Sequence, residues 1–188
     1  YNRDLYMKSM NLTGNSIKTN DFDFSFGWNY NSLNRGYFPT KGVKASLGGR
    51  VTIPGSDNKY YKLSADLQGF YPLDRDHRWV LSGKATASYA NGLGGKRVPF
   101  YQLYTAGGIG SLRGFAYGAV GPNAIYQDKY GQWYQSTDVV GGNAMATASV
   151  ELIVPTPFVG DKSQNSVRTS LFVDAASVWN TKWKSDKE

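Results

Sequence analysis

The chain has no cysteine and a single histidine, His77, among its 188 residues. The first absence closes disulfide and thiolate–metal readings. The second leaves little room for metal chemistry or a histidine-dependent triad. No apolar run reaches the roughly 18 residues of a membrane-spanning helix. The opening Tyr1-Asn2-Arg3-Asp4 is polar, so no secretory leader is expected there. The chain begins without methionine, which makes that expectation a weak guide. Mean hydropathy is negative, as in a soluble protein. The net charge of +7 comes from 21 basic and 14 acidic residues. The basic residues are scattered along the chain, which speaks for solvated loops and a polar interior, with no nucleic-acid partner.

What the sequence does have is glycine, 22 residues of it, and aromatics, 15% of the chain. It also alternates with period two. In "DFDFSFGWNYN", Phe22, Phe24, Phe26, Trp28 and Tyr30 share one face, and Asp23, Ser25, Gly27 and Asn29 the other. The same pattern runs through "VKASLGGRVTI", "YKLSADLQG" and "WVLSGKATASY", then again over Ala144–Leu152 and Val167–Ala175. The pattern predicts about six strands, each about ten to thirteen residues long. Strands in globular proteins are typically about five or six residues. A tilted membrane-spanning strand needs about nine to eleven. Trp28, Tyr30, Tyr61, Trp79, Tyr89 and Trp179 fall near strand ends, where interface girdles lie.

The expected fold class is therefore all-β, an antiparallel transmembrane β-barrel with its apolar face toward lipid and its polar face toward a lumen. Low hydropathy follows, because half of each strand is polar. A soluble β-sandwich also alternates, but with shorter strands and a less uniformly charged and hydroxylated polar face. Turns are expected at "NSLNRGYFPTKG", "PGSDNK", "PLDRDHR" and "PTPFVGDKSQNS". Residues 91–142 show no sustained alternation, and a loop of that length is functional or misread. It lies on the same membrane side as "PGSDNK" and residues 1–20, which also read as loop.

That long loop holds "GGIGSLRGFAYGAVGP", residues 107–122, with Arg113 set between Leu112 and the Gly114-Phe115 pair. The alternation puts Glu151 and Asp174 on the lumen face of adjacent strands, each bracketed by apolar residues. Carboxylates so placed are partly desolvated and call for a cation. If the loop enters the lumen, Arg113 can bridge both through its planar fork, with Leu112 and Phe115 packed on the inner wall. Pattern alone leaves a second reading open, in which Arg113 is solvated and the carboxylates hydrate the lumen. The glycines lack the βαβ setting of a dinucleotide-binding loop. His77 lies in a turn beside Asp76 and Arg78 and reads as a solvated residue. No serine is placed to partner it.

"SLRGF" at 111–115 resembles the sixth-extracellular-loop signature of the BamA family of outer-membrane β-barrel assembly factors. "GYFPTKG", "VTIPGSDNKYYK", "DHRWVLSGK", "GLGGKRVPFY", "VGGNAMATASVEL", "PTPF" and "NSVRTSLFVD" are similar to segments of the same family. The resemblance implies that residues 1–188 are one partial barrel domain. It matches the eighth to thirteenth of sixteen strands, with 1–20 an extracellular loop and 91–142 the sixth. The other strands, the lateral gate and the periplasmic POTRA domains fall outside it. It implies that the loop arginine, here Arg113, pairs inside the barrel with carboxylates matching Glu151 and Asp174. It further implies insertion of client β-barrel proteins into the bacterial outer membrane, without cofactor or covalent chemistry. The partners implied are the lipid bilayer, unfolded clients and accessory lipoproteins. The alternatives are a two-partner secretion transporter of the same superfamily and a passive porin.

Overall fold

The computed structural model describes residues 19–128, 130–157 and 167–181. Six strands form one antiparallel sheet: β1 (Asp23–Asn31), β2 (Gly42–Thr52), β3 (Tyr60–Pro72), β4 (Val80–Gly92), β7 (Ala144–Val154) and β8 (Thr169–Trp179). Their spatial order follows the chain, β1-β2-β3-β4-β7-β8, as in a barrel meander. They run from 9 to 13 residues, the span of a membrane-crossing strand. The ladders hold register without a bulge, so each strand keeps one chemistry per face.

The apolar face is bare. Phe24, Phe26, Trp28, Leu47, Leu67, Val150 and Val173 are all at least half exposed. In a soluble sandwich these positions are the buried core, so that reading is overturned. Phe26 lies opposite Gly49, and its ring covers the space a Cβ there would fill. The aromatic thereby packs over bare backbone. Trp28 and Tyr30 stack with ring centroids 6.3 Å apart near the end of β1.

The opposite face is polar and partly covered, although β1 is exposed on both faces. Thr52, Ser82, Ser88, Asn143 and Thr147 are buried there. Among the described residues no buried side-chain nitrogen or oxygen lacks a hydrogen-bond partner. A small apolar cluster of Tyr60, Ala90 and Val98, flanked by Leu103 and Tyr104, seats the root of the long loop against β3 and β4.

The connection between β4 and β7 is the long loop expected over 91–142, and it carries local structure. It contains a 3-10 turn at Phe100–Gln102 and a separate hairpin of β5 (Asn123–Gln127) and β6 (Trp133–Val139). The hairpin escapes a search for alternation because β5 is short and both faces of β6 are mostly exposed. The expected loop over residues 1–20 falls largely outside the described residues, as does most of "PTPFVGDKSQNS".

Candidate functional site

The long loop folds back across the polar face of the sheet. At its root, Tyr104 and Gly142 exchange backbone hydrogen bonds of 2.8 and 2.9 Å. Ala106 and Val120 form a second such bridge. At Gly107 (φ +124°) the chain turns so closely that an added Cβ would strike the Ala116 carbonyl oxygen. The Ser111 hydroxyl then locks the turn: Gly107 N–H donates to it at 2.9 Å, and it donates to Gly107 O at 3.0 Å. Leu112 N–H donates to Gly108 O at 3.0 Å, and Leu112 is buried. This compact tip aims Arg113 at β7 and β8.

Strand register supplies what Arg113 meets. Ser149 stands opposite Asp174, and Glu151 stands opposite Phe172. Arg113 donates from Nε to Asp174 Oδ2 at 2.7 Å and from Nη2 to Asp174 Oδ1 at 2.7 Å. Nη2 also donates to Ser149 Oγ, and Nη1 donates to Glu151 Oε2, each at 2.8 Å. The Arg113 backbone N–H adds a bond of 3.0 Å to Asp174 Oδ2. The guanidinium carbon lies 3.5 Å from the centre of the Phe172 ring, a cation–π contact. Both carboxylates are thus held, Asp174 in the bidentate geometry that only a planar fork allows. The Asp174 side chain is 5% exposed, Arg113 and Glu151 24% each. The Asp174 hydrogen bond, opposed by burial and helped by Glu151, drives the Arg113 pKa above its already high ordinary value. The arginine is charged at every accessible pH.

Two lysines on the same sheet face tie the loop elsewhere. Lys84 Nζ donates to Gly110 O at 3.0 Å, so the tip lies across β4, β7 and β8. Lys62 Nζ donates to Gln102 O and Oε1 at 2.9 and 3.2 Å and sits 4.5 Å from the Tyr104 ring centre. Burial pushes the Tyr104 phenol up to about 12, so it stays neutral.

The structure brings Arg113, Glu151 and Asp174 together and buries Leu112. It does not pack Phe115 on the inner wall. That ring is 54% exposed and follows Gly114, which holds φ +85°. Sequence reasoning missed Phe172. Its signal was available: an aromatic two residues before Asp174 must share Asp174's face. It also gave Ser149, Lys62 and Lys84 no role beyond lumen polarity. His77 is not simply solvated: it is half-buried, with Nδ1 2.9 Å from Thr40 Oγ1.

The family model described as the Omp85 superfamily domain matches residues 1–188. The chain belongs to the Omp85 superfamily. This Omp85 chain is 35% identical over 175 residues to the outer membrane protein assembly factor BamA of Neisseria meningitidis serogroup B. That match covers 93% of the chain and 21% of the relative. A crystal structure of BamA from Haemophilus ducreyi, lacking POTRA domains 1–3, superposes with a TM-score of 0.89 at 56% identity. It covers 100% of this chain and 36% of that one. The chain therefore spans about a fifth of one relative and about a third of the other. The Omp85 sheet is part of a β-barrel of the bacterial outer membrane, and its bare apolar face is the lipid face.

Proposed function

We propose that this chain is part of an outer-membrane insertase that folds client β-barrel proteins and inserts them into the bilayer. The work is physical rather than enzymatic. A weak seam elsewhere in the barrel and a thinned bilayer beside it lower the cost of adding strands. The residues here keep the wall and its long loop in one conformation while that happens. Arg113 is the anchor, Asp174 and Glu151 its seats, and Leu112 and Gly114 set the angle of the tip. The partners are the lipid bilayer, unfolded clients and the accessory lipoproteins of an assembly complex, recruited through periplasmic domains.

The observation that carries this reading is the Arg113 cluster itself. Four hydrogen bonds from one guanidinium, plus an aromatic face, fix a loop across the lumen wall. A passive pore needs its lumen open, whereas a scaffold needs it braced. Resemblance of the segments outside the loop to BamA favours the insertase over a secretion transporter of the same superfamily. The test is depletion of the protein in its own cells, followed by measurement of folded barrel proteins in the outer membrane. The insertase reading requires their loss across many clients. Loss of one secreted substrate with barrels intact points to the transporter. Steady ion conductance in a planar bilayer points to the porin.

A further inference from the structure

At the loop end of the sheet, three segments far apart in sequence meet on the β2–β3 turn. The first is the approach to β1. Phe22 N–H donates to Ser56 Oγ at 3.0 Å, and Ser56 Oγ donates back to Phe22 O at 2.8 Å. Asn20 N–H donates to Asp57 Oδ2 at 2.7 Å, and Asp57 N–H donates to Asn20 O at 3.1 Å. The second is the exit from β4. Leu93 N–H donates to Lys59 O at 2.8 Å, and Lys96 Nζ donates to Asp57 O at 2.9 Å. The third is the 3-10 turn Phe100–Gln102 at the root of the long loop, which Lys62 also grips at Gln102.

Asn58 sits at the centre of this meeting. Its backbone N–H donates to Asp21 Oδ1 at 2.9 Å, and its Nδ2 donates to Asp21 Oδ2 at 2.7 Å. The same Nδ2 donates to Tyr101 Oη at 3.0 Å. One side chain thus joins the approach to β1 to the root of the long loop. Nδ2 carries two hydrogens, one for each partner. The Asp21 carboxylate is acceptor-only, so it fixes which end of the amide faces it. Its charge strengthens that bond and thereby aims the second hydrogen at Tyr101. Asn58 is half-buried between the exposed Asp57 and Lys59. Two residues on, Tyr60 is buried in the apolar cluster against which Leu103 and Tyr104 pack. The polar clasp and the apolar cluster therefore hold the same stretch of the loop.

We propose that Asn58 is a positioning residue that couples the long loop to the segment before β1: when Asp21 releases Asn58, the 3-10 root of the loop loosens. A displacement of that segment is thereby felt at the loop root. The coupling needs no long pathway, because one amide makes both contacts. It is separate from the Arg113 cluster and stands whether or not the barrel inserts clients.

The experiment is hydrogen exchange at one fixed pH on the full-length protein in nanodiscs. The reporters are the Gln102 and Leu103 amides, which donate to Pro99 O and Phe100 O around the 3-10 turn. Asn58→Asp sets a carboxylate against Asp21 and removes the donor to Tyr101 Oη. It should quicken exchange at both reporters by about threefold or more, as loss of a modest hydrogen bond does. Adding Asp21→Asn exchanges the amide and carboxylate ends of the pair and should restore most of the protection. Reporters unchanged by Asn58→Asp overturn the proposal. So does a double swap that leaves them fast, because the segment before β1 then plays no part. Tyr101→Phe removes a single oxygen atom and decides the matter if a swap disturbs the β3 and β4 ladder. It should quicken the reporters and the Asn58 amide together. No change, or a change confined to one side of the turn, contradicts the coupling.

Discussion

Ser149 and Asp174 stand directly opposite each other on β7 and β8, and the Ser149 hydroxyl donates to Asp174 Oδ1 at 2.7 Å. Arg113 Nη2 donates to both partners, which closes a triangle of hydrogen bonds. The strand pair thus holds the same carboxylate that the arginine binds. Asp174 accepts from Arg113 N, Nε and Nη2 and from Ser149, whereas Glu151 accepts only from Nη1 in this cluster. The two carboxylates are therefore unequal seats.

That inequality sets the first expected outcome. Asp174→Asn leaves the guanidinium without its main counter-charge in a covered site and should cost about 3–5 kcal/mol. Glu151→Gln removes one charged partner from a more open position and should cost about 1–3 kcal/mol. The readout is the temperature at which the barrel loses its heat-resistant compact form on a gel. Equal shifts for the two variants contradict the geometry.

The shape of the guanidinium matters as well as its charge. Arg113→Lys keeps the charge but cannot reach Asp174, Glu151 and Ser149 together, nor lie flat on Phe172. It should lower stability nearly as much as Arg113→Gln. A lysine variant that melts like the wild type reduces the site to simple charge balance.

Phe172 adds a contact the charges do not. Phe172→Leu should cost about 0.5–2 kcal/mol through loss of the cation–π contact. Combined with Arg113→Gln, the effect should be less than additive, since both changes remove the same contact. Strict additivity in a double-mutant cycle means the ring only packs.

Two glycines of the tip separate conformation from contact. Gly114 has φ +85° and open space around it, so Gly114→Ala meets only backbone strain, about 1–2 kcal/mol. Gly107 has φ +124° and the Ala116 carbonyl oxygen against it. Gly107→Ala should displace the whole tip. Protease accessibility of residues 107–115 should rise sharply for Gly107→Ala and modestly for Gly114→Ala.

The β5–β6 hairpin carries a pH dependence of its own. Burial acts to raise the pKa of Asp128, but donation from the Gln132 and Tyr130 backbone N–H groups and the Tyr134 hydroxyl lowers it overall. A folded pKa below the unfolded one gives stability that is present above the ordinary aspartate range, near about 4. It is lost as pH falls through the folded value. The protection factor of the Gln132 amide, its exchange rate relative to an unstructured amide at the same pH, should fall below about pH 4, while the β3 and β4 ladder stays protected. A protection factor that does not change with pH there shows that the turn does not depend on the Asp128 charge.

Much of the sheet was legible because alternation is imposed by physics. A strand with lipid on one side and a polar lumen on the other must alternate, and Phe22 to Tyr30 do so without a break. Strand ends were less legible: β3 runs on through Phe70 to Pro72, beyond the "YKLSADLQG" pattern. The meeting of Arg113 with Glu151 and Asp174 had a sequence rationale in the two bracketed carboxylates, and the resemblance favoured it over a solvated arginine. The inward place of Phe172 was readable from parity but easily taken for a lipid-facing aromatic. Nothing local announces that Arg168 crosses to Pro39, 129 residues away, because alternation within a strand does not say which turns meet at the end of the sheet.

The most direct test of the loop anchor is a charge swap in the full-length protein, in cells depleted of the native copy. Arg113→Glu, Asp174→Arg and the double swap are compared by the amount of folded client barrel in the outer membrane. Each single swap should lower client folding, and the double should restore part of it. Silent single swaps would contradict the anchor and leave Arg113 with no part in the barrel's work.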